Sequence, residues 1–378
     1  MKIHIKTMHG LEDILAEELQ QLGGASNIRT HKRSVSCEGD LEFLYRANLN
    51  LRTALKILVP VHKFTARNEQ QLYDEVMKHD WSKYLKLEQT FAIDNTIFSE
   101  YFKHSKYAAL KTKDAMVDQF RKKMGRRPSV DIKNPDVQFD LHAFKDQFTI
   151  SVDSSGHTLN RRGYREPGHE APMNEVLAAG LLKLAGWNKS IPLVDPMCGT
   201  GTILIEAAMM GQNIPPNLNR REFGFKNWTN YHPELWNKVL AEGRAGIRKA
   251  KLDISGGDID GDTVLRANKS LRKFKLTDAV SIRRVALEDH KPQVAGRGMV
   301  VTNPPYGERI GRTNTNDFYK TISDVLKNNF TGYDAWVMSS NMQAFKHLKL
   351  RASKKIVLFN GALECKFQKY ELYRGSKE

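Results

Sequence analysis

The sequence predicts an α+β N-terminal region followed by an α/β domain built on a mostly parallel sheet. Three observations carry this. Residues 2–64 read as strand, helix, strand, helix, strand. A Gly-, Pro- and Arg-rich stretch follows Asp153 (SSGHTLNRRGYREPGHEAP) and marks a connector. Beyond it strand and helix patterns alternate regularly, as in a doubly wound fold. A length of 378 residues accommodates two or three domains.

The N-terminal elements follow from periodicity. Residues 2–7 alternate polar and apolar, as a half-buried strand does. Leu11 to Leu22 places apolar residues at helical spacing and stops at Gly23-Gly24. Residues 28–37 read as a second strand, 41–51 as a helix and 55–64 as a third strand. Residues 68–80 look helical, 88–98 like a strand and 106–124 like a helix. Residues 136–152 form a hairpin whose turn includes Lys145-Asp146.

After the connector, Asn174 to Ala185 reads as a helix. Strands are expected at 191–195, 252–258, 280–285, 298–302 and 334–339, and helices near 202–211, 261–274 and 316–327. Two tail strands, 353–359 and 366–373, complete the set as an edge hairpin. The aromatic-rich stretch 220–238 is expected to be an insertion packed on the sheet, with Trp228 and Trp236 in the core.

Composition narrows the function. Hydrophobic residues make up 40% of the chain and charged residues 27%, enough apolar material to exclude a disordered protein. Three scattered cysteines, Cys37, Cys198 and Cys365, with no CxxC pair, exclude a disulfide framework and a cysteine zinc site. No metal site is expected. No stretch is long and apolar enough for a membrane span, and the N-terminus lacks the apolar core of a signal peptide. The cytoplasm is the expected compartment.

The net charge is +16, which points to nucleic acid, since cationic side chains displace counterions from phosphate. Residues 1–155 carry +3 and residues 156–378 carry +13. Within the milder part, Tyr101 to Val130 holds nine Lys/Arg against two acids, interleaved with Tyr101, Phe102 and Tyr107. The candidate RNA contacts are Lys106, Lys111, Lys113, Arg121, Lys122, Lys123, Arg126 and Arg127, with Arg161 and Arg162 in the connector. The alternative for this run is a solvated helix face.

The first chemical motif is a glycine loop after an apolar strand. Ile191 to Asp195 ends in a carboxylate, and Pro196-Met197-Cys198-Gly199-Thr200-Gly201-Thr202 leads into a helix. Nucleotide-like ligands bind between a first strand and a helix N-terminus. There is no GK[ST] of a P-loop and no third glycine of the dinucleotide fingerprint. The second strand ends in Gly256-Gly257-Asp258-Ile259-Asp260, where a carboxylate can accept both hydroxyl hydrogens of a ribose. Leu287-Glu288-Asp289 follows the third strand and offers an acceptor for an adenine amine. Cys198 has no base beside it in sequence and reads as a packed small side chain.

The second motif, Asn303-Pro304-Pro305-Tyr306-Gly307, follows the strand 298–302. The prolines stiffen the turn. The Asn303 side-chain oxygen and the Pro304 carbonyl can accept both hydrogens of one planar NH2 group, while Tyr306 stacks on its ring. An exocyclic amine is a poor nucleophile because its lone pair is delocalised. Two acceptors drive its nitrogen toward a tetrahedral form and aim the lone pair at an electrophile.

DPMCGTGT, GGDID and NPPYG, in this order and spacing, resemble class I S-adenosylmethionine-dependent methyltransferases acting on exocyclic amines. The connector Leu159–Arg165 with Ala171–Glu175, and the run from His104 to Phe120-Arg121 with Gly125 and Pro128, resemble THUMP-domain RNA methyltransferases. Nearly the whole chain resembles the bacterial 23S ribosomal RNA guanine-N2 methyltransferases. That resemblance implies a ferredoxin-like domain over 1–60, a THUMP domain over 61–155 and a Rossmann-like catalytic domain with a seven-stranded sheet over 156–378. It implies that Asp195 and the Cys198–Gly201 loop, with Gly199 and Thr200, hold the methionine part of S-adenosylmethionine, beside Met197. Asp258 and Ile259 would meet the ribose region, and Asp289, in an unusual Leu-Glu-Asp-His context, the adenine. Asn303, Pro304, Pro305 and Tyr306 would position a guanine flipped out of structured ribosomal RNA. Transfer RNA is the alternative substrate, and a catalytically silent ribosome-assembly factor the alternative class. Some members carry a second methyltransferase domain, whose activity is not expected here. A cytosine-carbon methyltransferase is excluded, since a Pro-Pro-Tyr loop stands where its nucleophilic cysteine would be.

Overall fold

Alternation along the first strand decides which way it faces: Ile3 and Ile5 are buried while Lys2 is exposed. This is a computed structural model, and it describes residues 1–165, 173–294, 296–305 and 315–373. The first unit runs β1 (Lys2–Lys6), α1 (Glu12–Leu22), β2 (Ser26–His31), β3 (Ser34–Glu38), α2 (Leu41–Asn50) and β4 (Lys56–Thr65). Helix α2 is capped by Asp40, which accepts from the Phe43 amide at 2.7 Å.

The single strand expected at 28–37 is instead an antiparallel hairpin. It turns at Lys32-Arg33, with Arg33 in the left-handed region at φ 62° and its amide donating to Glu12 at 2.7 Å. A Lys-Arg turn carries none of the glycine or asparagine chemistry that marks such a turn in sequence. The resulting order, βαββαβ, is ferredoxin-like.

The chain continues through α3 (Glu69–Lys78), β5 (Thr90–Phe98), α4 (Ser105–Met124), the two-residue β6 (Ser129–Val130), β7 (Val137–Phe144) and β8 (Gln147–Asp153). Helix α4 stops at Gly125, which takes the left-handed conformation. The turn between β7 and β8 is the expected one, with Lys145 at φ 56°. These strands join the first unit in one eight-stranded sheet of order β2-β3-β1-β4-β8-β7-β5-β6. Strand β4 pairs with β1 on one side and β8 on the other. Residue 60 therefore lies inside a shared strand.

The second half contains α5 (Glu175–Ala185), β9 (Leu193–Asp195), α6 (Thr202–Gly211), α7 (Pro233–Ala245), β10 (Ile254–Asp258), α8 (Gly261–Lys273), β11 (Val280–Arg284), β12 (Gly298–Thr302), α9 (Thr315–Asn329), β13 (Tyr333–Ser339), β14 (Lys354–Asn360) and β15 (Leu363–Glu371). The seven strands order β11-β10-β9-β12-β13-β15-β14. Five are parallel, and the β14–β15 hairpin closes one edge antiparallel. From β9 the chain winds outward through β10 and β11, then returns to β12 on the other side. The β9–β12 boundary is thus the switch point of the sheet, where the carboxyl ends open a ligand crevice.

The aromatic stretch is packed otherwise than expected. Phe223, Phe225, Trp236 and Val239 join the core of the ferredoxin-like unit, with Ile3, Phe43 and Tyr45. Tyr45 and Phe225 lie 4.4 Å apart between ring centroids. Trp228, partly buried, packs against this core and the next one. Apolar content determined that the segment would be buried, but could not say against which sheet. A buried polar seam also joins the two halves. Arg52 donates to the carbonyls of Ile214 at 2.6 Å and Met209 at 3.3 Å, and its own carbonyl accepts from Arg162 at 2.5 Å, whose side chain, fully enclosed, lies 3.5 Å from the enclosed Glu206. Among the described residues no helix is long and apolar enough to cross a membrane, and no group of three or more His, Cys, Asp or Glu could hold a metal ion.

Candidate active site

Strand β9 delivers Asp195 to the switch point, 2% exposed. Its Oδ1 accepts from the Thr302 hydroxyl at 2.7 Å and from the Met197 amide at 3.2 Å. Burial pushes this carboxyl up to about 7, aided by the charge of Asp258 and opposed by those two hydrogen bonds. The loop turns tightly into α6. Gly201 sits at φ 76°, and a Cβ there would lie 2.9 Å from Ile282 Cδ1. Gly199, at φ 53°, would send a Cβ into open space with nothing within 4 Å. The loop backbone is therefore bare toward the crevice, as a closely approaching ligand requires.

Asp258 ends β10, next to β9. Its Oδ2 accepts from the Gly199 amide at 2.9 Å and its Oδ1 from the Asp260 amide at 3.0 Å. These bonds fix the carboxylate against the glycine loop and leave each oxygen further acceptor capacity. Ile259 beside it is 69% exposed, an apolar side chain open to solvent. Asp289 lies exposed in the turn after β11, its amide bonded to the Ala286 carbonyl at 3.2 Å. Cys198 is buried, and burial with two nearby carboxylates raises its thiol well above the ordinary range. It packs in the core beside Leu204 and Ile205, and a thiol held protonated is a weak nucleophile.

Strand β12, hydrogen-bonded beside β9, carries the second motif. Thr302 is fully buried, and Asn303 follows at the strand end. The Asn303 Oδ1 is buried, and among the described residues nothing donates to it. A buried amide oxygen without a donor costs stability, so this atom is a candidate acceptor at the end of β12. Pro304 is buried and Pro305 partly so. Tyr306 and Gly307 lie outside the described residues, as do Ala171 and Pro172.

Sequence reasoning passed over two residues that organise this site. Thr302 joins the two loops through Asp195. Arg165 is bonded to the Met173 carbonyl, donates to Thr202 Oγ1 at 3.3 Å at the start of α6, and pairs with Glu175 at 3.1 Å. A hydroxyl preceding the Asn-Pro-Pro run was the only available signal for the first. The second needed the fold.

The basic candidates divide. Lys106, Lys122, Arg126 and Arg127 are exposed along α4 and its C-terminal turn. Lys111 lies 5.1 Å from the Tyr73 ring centroid, and Lys113, Arg121 and Lys123 pair with Asp114, Asp118 and Asp80. Of the interleaved aromatics, Tyr101 and Tyr107 are exposed but Phe102 is core. Arg161 is exposed. Arg162 is not an RNA contact. It is fully buried, donates to the Leu159 and Arg52 carbonyls at 2.6 and 2.5 Å, and faces Glu206. Its charge is spent inside the protein, a placement that the neighbouring Arg161 gives no hint of.

Three family models match the chain. A ferredoxin-like domain of RlmL type covers residues 2–58, a THUMP domain 66–153, and the UPF0020 family, described as an RMKL-like methyltransferase domain, 162–369. A putative RNA methyltransferase of Synechocystis is 38% identical over 96% of this chain and 95% of its own length. A ribosomal RNA large subunit methyltransferase K/L of Syntrophotalea carbinolica is 38% identical over 96% of this chain. The chain spans about half that relative's length (52%). Among solved structures, a putative methyltransferase complexed with SAH superposes with a TM-score of 0.87 at 29% identity, covering 99% of both chains.

Proposed function

The chain belongs to the UPF0020 family of RMKL-like methyltransferases, in its THUMP-bearing form, and on that premise we propose that it methylates the exocyclic N2 amine of a guanine in large-subunit (23S) ribosomal RNA. S-adenosylmethionine is the methyl donor. When bound, it supplies an electrophilic methyl group on a sulfonium sulfur.

The residues present fit that group. Asp195 would offer a buried carboxylate to the ammonium group of the amino-acid end, against the bare backbone of the Cys198–Gly201 loop and Met197. Asp258 would take the ribose hydroxyls, with Ile259 alongside and Asp289 at the adenine end. The observation that carries the reading is the buried Asn303 Oδ1, to which nothing donates among the described residues, at the end of a strand bonded directly to the one bearing Asp195. With the Pro304 carbonyl it would accept both amine hydrogens, leaving the nitrogen lone pair directed away from them into the crevice. Pro305 holds the turn rigid, and Tyr306 would stack on the purine. The division of labour is 1–60 ferredoxin-like, 61–155 THUMP RNA binding and 156–378 catalysis, in the cytoplasm. Structured RNA with a flipped guanine is the substrate form, because an amine within a helix is inaccessible to the crevice.

The test is transfer of labelled methyl from S-adenosylmethionine to unmodified 23S ribosomal RNA and, separately, to transfer RNA, followed by nucleoside analysis. Label in N2-methylguanosine of the ribosomal RNA is expected. Label in methyladenosine, in transfer RNA alone, or in neither RNA overturns the proposal.

A further inference from the structure

The helices α3 and α4 pack on one face of the β5–β7–β8 region, where Phe139, Leu141, Phe148 and Ile150 form the core. The alternating residues stand on the opposite face. At its far end Phe98 and Phe144 are 64% and 60% exposed. They are directly paired across the parallel strands β5 and β7, so both rings project from the same side. Two aromatic rings held open to water at adjacent positions have no role in the core.

One cation touches this pair, and others lie in the adjoining loops. Lys145 Nζ lies 5.8 Å from the Phe144 ring centroid, and the Lys145 amide donates to the Phe98 carbonyl at 2.8 Å. The next residue, Asp146, receives Arg67 Nε at 3.1 Å, and the Arg67 guanidinium lies 5.9 Å from the half-exposed Tyr101 ring. Lys103 and Lys106, both exposed, follow Tyr101. Glu100 adds one opposing charge in the same loop. Exposed aromatic faces interleaved with cations are what single-stranded nucleic acid requires, with rings for the bases and charges for the phosphates. A duplex hides its base faces and gains nothing from the rings.

We propose that Phe98 and Phe144, flanked by Lys145, Arg67 and Tyr101, form a stacking platform for unpaired nucleotides of the RNA. This rests on the RNA reading above and specifies the substrate form that the N-terminal half recognises: a structured RNA presenting an unpaired segment.

The full chain is titrated into a single-stranded RNA oligonucleotide carrying 2-aminopurine and into a blunt RNA duplex. Three proteins are compared: wild type, F98A/F144A and F98Y/F144Y. The positions are exposed, so the variants retain the fold, checked by their melting temperatures. Wild type should bind the single strand and quench the fluorophore. F98A/F144A should bind it about tenfold or more weakly, without quenching, and the tyrosine pair should stay within about threefold of wild type. Duplex affinity should not move. If F98A/F144A binds and quenches like wild type, the platform is overturned and the RNA reading stands. If wild type binds neither RNA, both fall. If the variant instead loses self-association in sedimentation with RNA affinity unchanged, the pair is a protein contact and the platform is overturned.

Discussion

Thr302 donates its hydroxyl to Asp195 Oδ1 across 2.7 Å, with both side chains buried. The bond ties the strand that ends in the Asn-Pro-Pro turn to the strand that ends in the glycine loop. Replacing Thr302 by Val keeps the volume and removes the donor. Asp195, already pushed up to about 7, should then rise further. On the proposed role of Asp195, holding the ammonium group of S-adenosylhomocysteine's zwitterionic amino-acid end needs the ionised carboxylate. The low-pH limb of binding should shift to higher pH in T302V, measured by calorimetry between pH 6 and 9. An unmoved limb would show that Asp195 does not govern cofactor affinity.

Asp195 also makes a prediction about stability. Its carboxyl is raised by burial, so the folded state binds its proton more tightly than the unfolded state does. Stability is therefore lost as pH rises from the unfolded value through about 7. D195N removes that dependence. Its stability relative to wild type should be greater at pH 8 than at pH 4.5, by roughly 3 kcal/mol, while cofactor binding is lost. Denaturant melts at the two pH values provide the measurement.

Asn303→Ala deletes the acceptor proposed for the substrate amine. Turnover should fall by about a hundredfold or more, while S-adenosylhomocysteine affinity stays close to wild type. Equal loss of both would move Asn303 from the substrate to the cofactor.

Arg162 tests the corrected assignment. Cutting it to Met leaves Glu206 buried without its partner, which should cost roughly 3 to 5 kcal/mol of stability, read as a lowered denaturation midpoint. RNA affinity of the folded variant at low temperature should be unchanged. A selective loss of RNA binding would return Arg162 to the surface role.

On α4 the exposed and the paired cations should separate. Removing Lys122, Arg126 and Arg127 together should flatten the salt dependence of RNA binding, by about 0.7 to 0.9 in log–log slope for each phosphate that is no longer neutralised. Removing Lys123, held by Asp80 at 2.9 Å, should change it less. Equal slopes for both variants would leave this helix face merely solvated.

The chain by itself determined the order of elements wherever local patterning and burial agree. The strands of the catalytic sheet, the glycine loop and the Asn-Pro-Pro turn were legible because their chemistry is local in sequence. It also determined that Trp236 would be buried, since its bulk and apolarity demand that anywhere. Tertiary structure alone decided the partners. Trp236 and Phe225 entered the ferredoxin-like core because α7 docks on α2, a contact between residues some 190 apart with no signal in either segment. Arg162 was drawn inside because Glu206 and two carbonyls were there to receive it, while Arg161, with the same chemistry, stayed in water. Phe98 and Phe144 became neighbours only when β5 and β7 paired in register. Hydrophobicity and charge are properties of single residues, but satisfaction of a buried charge or exposure of a ring depends on what the rest of the chain brings to it.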